Sequence, residues 1–156
     1  MKKKIIVATS GGFDPIHVGH LRLLKEAKAL GDKLVVILNN DNWLRKKKGY
    51  TFMPQEERAA ILLAIRYVDR VVITGHKKNA KDMSVQRELG KLKPDIFANG
   101  GDRDKKDAKN RSSSLNADQL MCQRLGIRMV FNVGGNKAQS SSWLVEKVQK
   151  AKRKKT

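Results

Sequence analysis

A chain of 156 residues, 40% of them hydrophobic, is long enough to bury a core and fits a single domain. No apolar stretch approaches the roughly 20 residues of a membrane-spanning helix, and the single cysteine, Cys122, excludes an intrachain disulfide. The formal net charge of +19 favours anionic partners, either nucleic acid or small phosphorylated molecules.

Short β-branched runs alternate with amphipathic stretches along the chain. Residues 4–10 form the first run, which ends at a Gly-Gly pair, and residues 17–30 follow with apolar side chains near helical spacing. Further strands are predicted at 33–38, 68–74, 95–99 and 128–133, and further helices at 54–67, 84–92, 115–125 and from 140 or 141 to about 150. Residues 39–52 and 104–114 are polar and aperiodic, which predicts a loop and a mobile segment.

This alternation predicts an α/β fold: a Rossmann-like, doubly wound, five-stranded parallel sheet with helices on both faces. No internal repeat or domain boundary is visible, so residues 1–156 are predicted to form one domain, with a basic end at about 150–156. Ligands of such sheets bind beyond the carboxyl ends of the strands. The candidate motifs all follow predicted strands or open the helices beyond them, so we expect them to converge.

The basic opening, residues 2–4, precedes a short apolar run, as it would in a signal peptide. That run ends in a Gly-rich turn and not at a small-residue cleavage site, so we interpret it as a strand. Together with the single cysteine, this favours a cytoplasmic protein that has no membrane partner.

The segment GGFDPIHVGH, from Gly11 to His20, is the strongest candidate for a phosphate site. Glycines after a strand let backbone N–H groups approach phosphate oxygens closely. His17 and His20 lie on one face of a helix start, where both imidazoles can donate to a phosphate, and Gly19 keeps that surface open. A metal pair or two surface histidines are the alternatives, but zinc lacks a third ligand because the chain has only one further histidine and one cysteine.

GGFDPIHVGH resembles the signature of the HxGH nucleotidyltransferase superfamily, in its cytidylyltransferase-like branch, which includes glycerol-3-phosphate cytidylyltransferases and heptose 1-phosphate adenylyltransferases. The resemblance covers most of residues 4–150, in order through GDKLVVILNND, the KKKG loop, ERAAILLAIRYVDRVVI, KPDIFANGGD and QSSSWLVEKV. It implies that an acceptor phosphate attacks the α-phosphorus of a nucleoside triphosphate in line and that pyrophosphate leaves. Catalysis would then consist of positioning and charge stabilisation, with no covalent enzyme intermediate.

The resemblance also implies roles for the residues of the first motif. His17 and His20 are expected to bind triphosphate oxygens and to stabilise the pentacoordinate phosphorus. Asp14 is expected to order the loop or to act through a cation. Backbone contacts that shape the nucleotide pocket are expected from Gly11, Gly12 and Phe13.

Three serines, Ser140, Ser141 and Ser142, precede the last predicted helix. Hydroxyls and free N–H groups at a helix start form an anion site, and the family has a Ser-Thr-Thr run there that holds the β- and γ-phosphates. A helix cap that binds nothing is the alternative, and we give that interpretation to the earlier serine run at 112–114. The Arg-Thr-x-Gly lead-in of glycerol-3-phosphate cytidylyltransferases is absent, as is its arginine from heptose-type enzymes, which weakens a glycerol 3-phosphate assignment. Lys137 is a candidate replacement for that arginine.

Three charged residues complete the candidate site. Lys47 is our choice among the lysines of the basic 45–49 loop for the family lysine that reaches a phosphate. Arg66 is similar to an arginine that supports the active site or the acceptor phosphate, although an arginine at a helix end can equally cap the dipole. Asp102 is expected to accept a hydrogen bond from the exocyclic amine that cytosine and adenine share.

These features predict a nucleotidyltransferase that favours CTP and a polyol, alcohol or sugar phosphate, with an ATP-dependent adenylyltransferase of the heptose-phosphate or cofactor type as the alternative. Mg²⁺ is expected as the counter-ion of the triphosphate, without a dedicated protein metal site. The resemblance also implies a homodimer formed through residues 39–66. A basic nucleic-acid-binding module is the alternative from another class. Because aromatic residues are only 5% of the chain, we expect nucleic acid to bind only non-specifically through charge.

Overall fold

The strands of the described residues all run parallel in one sheet. The computed structural model describes residues 2–101 and 103–154. Its strands are β1 (Ile6–Gly11), β2 (Lys33–Leu38), β3 (Arg70–Ile73), β4 (Ile96–Gly100) and β5 (Arg128–Val133). They lie in the order β3-β2-β1-β4-β5, so the strand order reverses between β1 and β4. The predicted five-stranded, doubly wound parallel sheet is confirmed.

Helices follow each of these strands. They are α1 (Val18–Ala29), α2 (Asp41–Lys48), α3 (Gln55–Leu63), α4 (Gln86–Leu92), α5 (Lys105–Lys109), α6 (Ser114–Leu125) and α7 (Ser141–Arg153). Within the described ranges, no helix combines the length and the apolar character that crossing a membrane requires.

Two hydrophobic cores, one on each face, hold the helices against the sheet. Because neighbouring residues of a strand point to opposite faces, Val7 and Ala8 of β1 enter different cores. The first core joins the sheet to α1 and α3 and includes Val7, Leu24, Leu34, Val36 and Leu62. The second joins it to α4 and α6 and includes Ala8, Ile37, Leu89, Phe97 and Cys122. Helices on both faces are therefore also confirmed.

Two segments predicted to be irregular contain helices, so those predictions were wrong. In α2 the side chain of Asn40 accepts a hydrogen bond from Trp43 N, and Gly49 ends the helix at φ 84°. In α5 the side chain of Asp104 accepts hydrogen bonds from Lys106 N and Asp107 N in the first turn of the helix. These helices bury two residues and one residue respectively, so they carry no apolar periodicity. Their capping residues were the available signal.

The ends of two other helices differ from the prediction. The helix predicted at 54–67 ends at Leu63, and the chain then turns before β3 begins at Arg70. The last helix continues to Arg153, three residues beyond the predicted end near 150. Helix ends are set by local capping contacts, which an apolar pattern does not record.

Candidate active site

A cleft with two chambers lies at the carboxyl edge of the sheet. One cavity, of about 300 Å³, is lined by the N-terminus of α1, residues 134–139 and the serines of α7; we call it the Gly135 chamber. The other, of about 290 Å³, is lined by the ends of β1 and β2 and by side chains of α2, the 83–85 segment and α6; we call it the Asp118 chamber. The residues that line both chambers, here called the junction, are His20, Leu23, Lys48, Gly100 and Ser141.

The two histidines of the first motif form a stacked pair at the start of α1, with ring centroids 3.8 Å apart. His17 Nδ1 accepts a hydrogen bond from Gly19 N at 3.0 Å, and His20 Nδ1 accepts one from His17 N at 3.2 Å. A neutral imidazole whose Nδ1 accepts a hydrogen bond carries its proton on Nε2. Both rings therefore have an Nε2–H available to donate to a ligand.

The surroundings of the histidines keep both rings neutral. Burial lowers the pKa of His20 to about 3, and the charges of His17 and Lys48 add to the effect. Burial also lowers the pKa of His17, with smaller effects from Lys48 and Lys137. At neutral pH the pair therefore offers two uncharged N–H donors inside a cationic site.

Gly19 is required by the packing of the histidine pair. A Cβ atom at this position would lie 2.9 Å from His17 Cε1 and 3.0 Å from His17 Nδ1. Any side chain would therefore displace the imidazole that accepts the hydrogen bond from Gly19 N. This steric requirement supplies a reason for the glycine between the two histidines.

The serine run lies beside the N-terminus of α1. Ser141 is buried, and its Oγ donates to Pro15 O at 2.8 Å, which joins the start of α7 to the first motif. Ser140, Ser141 and Ser142 line the Gly135 chamber together with Lys137. The N-termini of α1 and α7 consequently converge, and both helix dipoles place positive partial charge there.

Gly11, Gly12 and Phe13 line the Asp118 chamber and are absent from the lining of the Gly135 chamber. The Phe13 side chain is buried, and its ring lies 4.8 Å from that of His20, centroid to centroid. Asp14 is fully buried, and its two carboxylate oxygens accept hydrogen bonds from Phe52 N and Met53 N, both at 2.7 Å. Asp14 thus orders the segment that follows α2.

Lys48, and not Lys47, reaches the histidines. Lys48 is half-buried at the junction, and its charge contributes to the lowered pKa values of both histidines. Lys47 is exposed and lines only the Asp118 chamber, not the Gly135 chamber. Lys48 follows buried Leu44 by one helical turn, so its side chain starts on the face of α2 that packs against the sheet.

Among the described candidates, Arg66 and Asp14 line neither chamber. Arg66 is exposed, with its guanidinium 5.7 Å from the centroid of the Tyr67 ring. It lines a separate apolar depression beside Val18 and Leu21, because α3 ends at Leu63 and the chain turns away. Asp102 lies outside the described residues.

Arg58 is an important framework residue that the sequence analysis missed. It is fully buried, and Nη1 donates to the backbone oxygens of Gly12 and Asn39, both at 2.7 Å. Nη2 forms an ion pair with Asp41 Oδ1 at 2.7 Å. One guanidinium therefore fixes the ends of β1 and β2 and the start of α2. The available signal was its position four residues before Leu62, on the apolar face of α3.

Asp118 of α6 is the second residue that was missed. It is 2% exposed and lines the chamber that bears its name. Its Oδ1 accepts a hydrogen bond from Val85 N at 2.8 Å. Burial raises the pKa of this carboxyl to about 7.

The serine run at 112–114 provides a helix cap. Ser113 accepts a hydrogen bond from Leu115 N at the start of α6, which is the contact expected of a cap.

The described residues contain no group of three or more His, Cys, Asp or Glu side chains that suits a metal ion. Apart from Asp118, the described lining of both chambers has imidazoles, cationic side chains, hydroxyls, amides and backbone groups, and no other carboxylate. This donor set suits an anion and not a bare cation.

Comparison with known proteins identifies several relatives. The chain is 46% identical to the FAD synthase of Pyrococcus horikoshii over 103 residues, which are 65% of this chain and 66% of that protein. It is 40% identical to the bifunctional protein HldE of Koribacter versatilis over 99 residues, which are 62% of this chain and 19% of that protein. The matched segment therefore spans less than two thirds of each of these relatives.

Solved structures and family models agree with these relatives. A lipopolysaccharide core biosynthesis protein from Thermoplasma volcanium superposes with a TM-score of 0.63 at 27% identity, over 83% of this chain and 94% of that one. The model of the cytidylyltransferase-like family matches residues 8–147, which include both helix N-termini of the cleft. This chain therefore belongs to the cytidylyltransferase-like family of nucleotidyltransferases.

Proposed function

We propose that this chain transfers a nucleotidyl group from a nucleoside triphosphate to the phosphate of a small acceptor and releases pyrophosphate. One observation carries the proposal: two chambers of similar volume meet at His20, Lys48 and Ser141. A transferase that joins two phosphorylated molecules needs a place for each of them and phosphate-binding groups where they meet.

The Gly135 chamber is proposed to hold the triphosphate. Two helix N-termini, the hydroxyls of Ser140 and Ser142, and Lys137 supply donors and positive charge there. The Asp118 chamber is proposed to hold the acceptor, because the apolar side chains and single carboxyl of its described lining suit the largely uncharged body of an acceptor better than a triphosphate chain. Asp102, which follows β4, is retained as the proposed partner of an exocyclic amine on the base.

In the proposed reaction an oxygen of the acceptor phosphate attacks the α-phosphorus. The bond from that phosphorus to the oxygen bridging the α- and β-phosphates breaks, and pyrophosphate leaves with the bonding electrons. The attacking oxygen is already anionic, so no general base is needed. The Nε2–H groups of His17 and His20 donate to oxygens of the pentacoordinate centre, and Lys48 stabilises its charge.

Mg²⁺ supplies neutralisation of triphosphate charge when it is bound. The donor set of the described residues fits a metal that arrives with the triphosphate and is held by phosphate oxygens and water. We therefore assign no described residue of this chain as a Mg²⁺ ligand.

ATP with FMN is our first pair of substrates. FAD is AMP joined to FMN through a pyrophosphate linkage, and four relatives named FAD synthase are 44–46% identical to this chain over about two thirds of its length. Similarity to HldE proteins makes a heptose phosphate the next acceptor with ATP. CTP with a polyol, alcohol or sugar phosphate, which the sequence alone favoured, is the second nucleotide to test.

We also propose that the chain acts as a single-domain, cytoplasmic homodimer. Exposed apolar side chains support a dimer contact through residues 39–66, since Phe52 is 57% exposed and Leu63 is 55% exposed. Sedimentation of the wild type beside Leu63→Glu would show whether this surface joins two copies.

Pyrophosphate release tests the proposed function. Each of the four nucleoside triphosphates is combined with Mg²⁺ and with FMN, heptose 1-phosphate or glycerol 3-phosphate, and the wild type is compared with His17→Ala. We expect release with ATP and FMN, lost in the variant. Release with CTP and glycerol 3-phosphate would show that the proposed substrates are wrong and that the proposed type of reaction is right. No release with any pair, and no triphosphate binding by calorimetry, would overturn the function.

A further inference from the structure

The Asp118 chamber contains a polar group that its scaffold role does not explain. Oδ1 of Asp118 accepts a hydrogen bond from Val85 N, which fastens the segment before α4 to α6. The structure gives the other carboxyl oxygen no hydrogen bond to a described residue, and the residue lines the chamber. An asparagine would hold Val85 N equally well through its amide oxygen.

An aspartate costs more stability here than an asparagine would. Burial disfavours the ionised form, and the charges of Asp82 and Glu88 add to that effect, whereas the Arg103 charge and the hydrogen bond from Val85 N oppose it. Cys122, one turn further along α6, is a buried thiol whose pKa is raised in part by Asp118. A buried carboxyl that the fold does not need is a candidate for a role in binding.

The rest of this chamber fits an acceptor that combines apolar surface with polar groups. The Trp43 side chain is held in its lining by a hydrogen bond from Nε1 to Met83 O at 2.9 Å. Val85 and Met83 add apolar surface beside it. On the other side, Arg103 lies within 3.4 Å of Ser114 Oγ, so the polar groups of the lining cluster near the start of α6.

We propose that Asp118 determines acceptor specificity by accepting a hydrogen bond from an N–H or O–H group in the non-phosphate part of the acceptor. The imide N–H of a flavin ring and a hydroxyl of a polyol chain are both neutral donors of this kind. The proposal rests on the proposed function, which places the acceptor in this chamber. Because a carboxylate repels phosphate, Asp118 also orients the acceptor with its phosphate toward the junction.

Asp118→Asn is the informative variant, because its amide oxygen can still accept from Val85 N while an NH₂ donor replaces the second oxygen. Glu88→Gln is the matched control: Glu88 is 8% exposed and accepts from Gly75 N, but it does not line the Asp118 chamber. Acceptor binding is measured without turnover, through flavin fluorescence for FMN and through calorimetry for glycerol 3-phosphate and heptose 1-phosphate.

We expect Asp118→Asn to raise the Kd of the acceptor about 10- to 100-fold, as for loss of a hydrogen bond to a charged group. The Kd for the nucleoside triphosphate should stay within about twofold, and Glu88→Gln should change neither value. FMN methylated on the imide nitrogen should bind the wild type more weakly than FMN does. Asp118→Asn should bind the methylated and unmethylated forms with the same Kd. If a hydroxyl of a polyol acceptor is the donor instead, the acceptor that lacks this hydroxyl should bind the wild type more weakly and Asp118→Asn equally well.

Equal acceptor Kd values for the wild type and Asp118→Asn would overturn the inference. So would failure of every acceptor in the panel to bind the wild type, or an equal loss of triphosphate affinity, which would indicate a purely structural role. Acceptor binding that depends on Asp118, without pyrophosphate release from any pair, would overturn the proposed reaction and leave Asp118 as a specificity residue.

Discussion

The two chambers of the cleft differ in the origin of their polar groups. In the Gly135 chamber they come from helix starts and from side chains a few residues apart, such as His17 and His20 or Ser140 to Ser142. In the Asp118 chamber they come from segments far apart in the chain, since the partners Val85 and Asp118 are separated by 33 residues. The first chamber brings together two local motifs, each made of residues close in sequence, whereas the second brings together single residues from separate segments.

This difference explains how one family can contain enzymes that act on different acceptors. The backbone N–H groups and neutral imidazoles of the Gly135 chamber suit any triphosphate, whichever base it carries. Except for Lys48, the side chains of the Asp118 chamber on α2, on α6 and before α4 lie outside the Gly135 chamber, so they can change without disturbing the proposed triphosphate site. Relatives named FAD synthase and HldE are then expected to share the first chamber and to differ in the second.

Loss of the Arg58 framework should damage both chambers at once and have the largest effect. Arg58→Met leaves Asp41 and three backbone oxygens, those of Gly12, Asn39 and Met53, without their cationic partner, so the free energy of unfolding should fall by about 3–5 kcal/mol. Urea denaturation measures this, with the exposed Arg66→Met as the control, which should stay within about 0.5 kcal/mol of the wild type. Equal stability of the two variants would contradict the framework role.

His20 belongs to the junction, so its removal should affect the reaction more than the binding of either substrate. In His20→Ala we expect kcat to fall about 100- to 1000-fold, as for loss of one preorganised donor to a charged transition state. Single-turnover kinetics with both substrates saturating measures the chemical step. A change confined to the Kd of one substrate would place His20 in one chamber and not at the junction.

Asp118 and His20 should make the stability of the protein depend on pH in opposite directions. The folded-state pKa of Asp118, about 7, lies above its unfolded value near 3.8, so its contribution to stability falls as pH rises from about 4 to about 7. Asp118→Asn should therefore raise the free energy of unfolding by roughly 1–3 kcal/mol at about pH 8 and hardly at all at about pH 4. Urea denaturation at both pH values tests this, and a gain of equal size at both would contradict it.

His20 should show the reverse dependence. Its folded-state pKa, about 3, lies below the unfolded value of 6.5, so stability falls as pH decreases through this range. His20→Asn, whose amide oxygen can still accept from His17 N, should lose less stability than the wild type between about pH 6.5 and pH 4.5. Above pH 4.5 the carboxyls with lowered pKa values, such as Asp69 and Asp95, do not yet titrate. Parallel acid profiles of the two proteins would exclude His20 as the cause.

The smallest predicted effect comes from comparing the serine run at 140–142 with the serine run at 112–114. Ser142→Ala removes a hydroxyl from the lining of the Gly135 chamber and should raise KM for the triphosphate about fivefold, the equivalent of one hydrogen bond. Ser113→Ala removes only the cap of α6 and should cost about 1 kcal/mol of stability with KM unchanged. Steady-state kinetics and thermal denaturation on both variants separate the two roles. Equal KM values would assign both runs to capping.

The parts of the fold and site that could be predicted from sequence are those encoded locally. Runs such as 33–38 identify buried strands, and GGFDPIHVGH identifies a helix start with two histidines on one face. Arg58 was missed because its partner Gly12 lies 46 residues away, and α2 was missed because its caps and not its periodicity define it. Choosing between Lys47 and Lys48 required the position of α2 relative to the sheet, which no local pattern contains.

The shared junction has a consequence for the end of the catalytic cycle. The product of the proposed reaction is one molecule that extends into both chambers, whereas each substrate is proposed to occupy one. It keeps the contacts of the acceptor and those nucleotide contacts that do not involve the departed pyrophosphate, and it loses translational freedom only once, so it should bind more tightly than the acceptor alone. We therefore expect slow dissociation of the joined product to limit turnover, and accumulated product to act as a bisubstrate inhibitor competitive with both substrates.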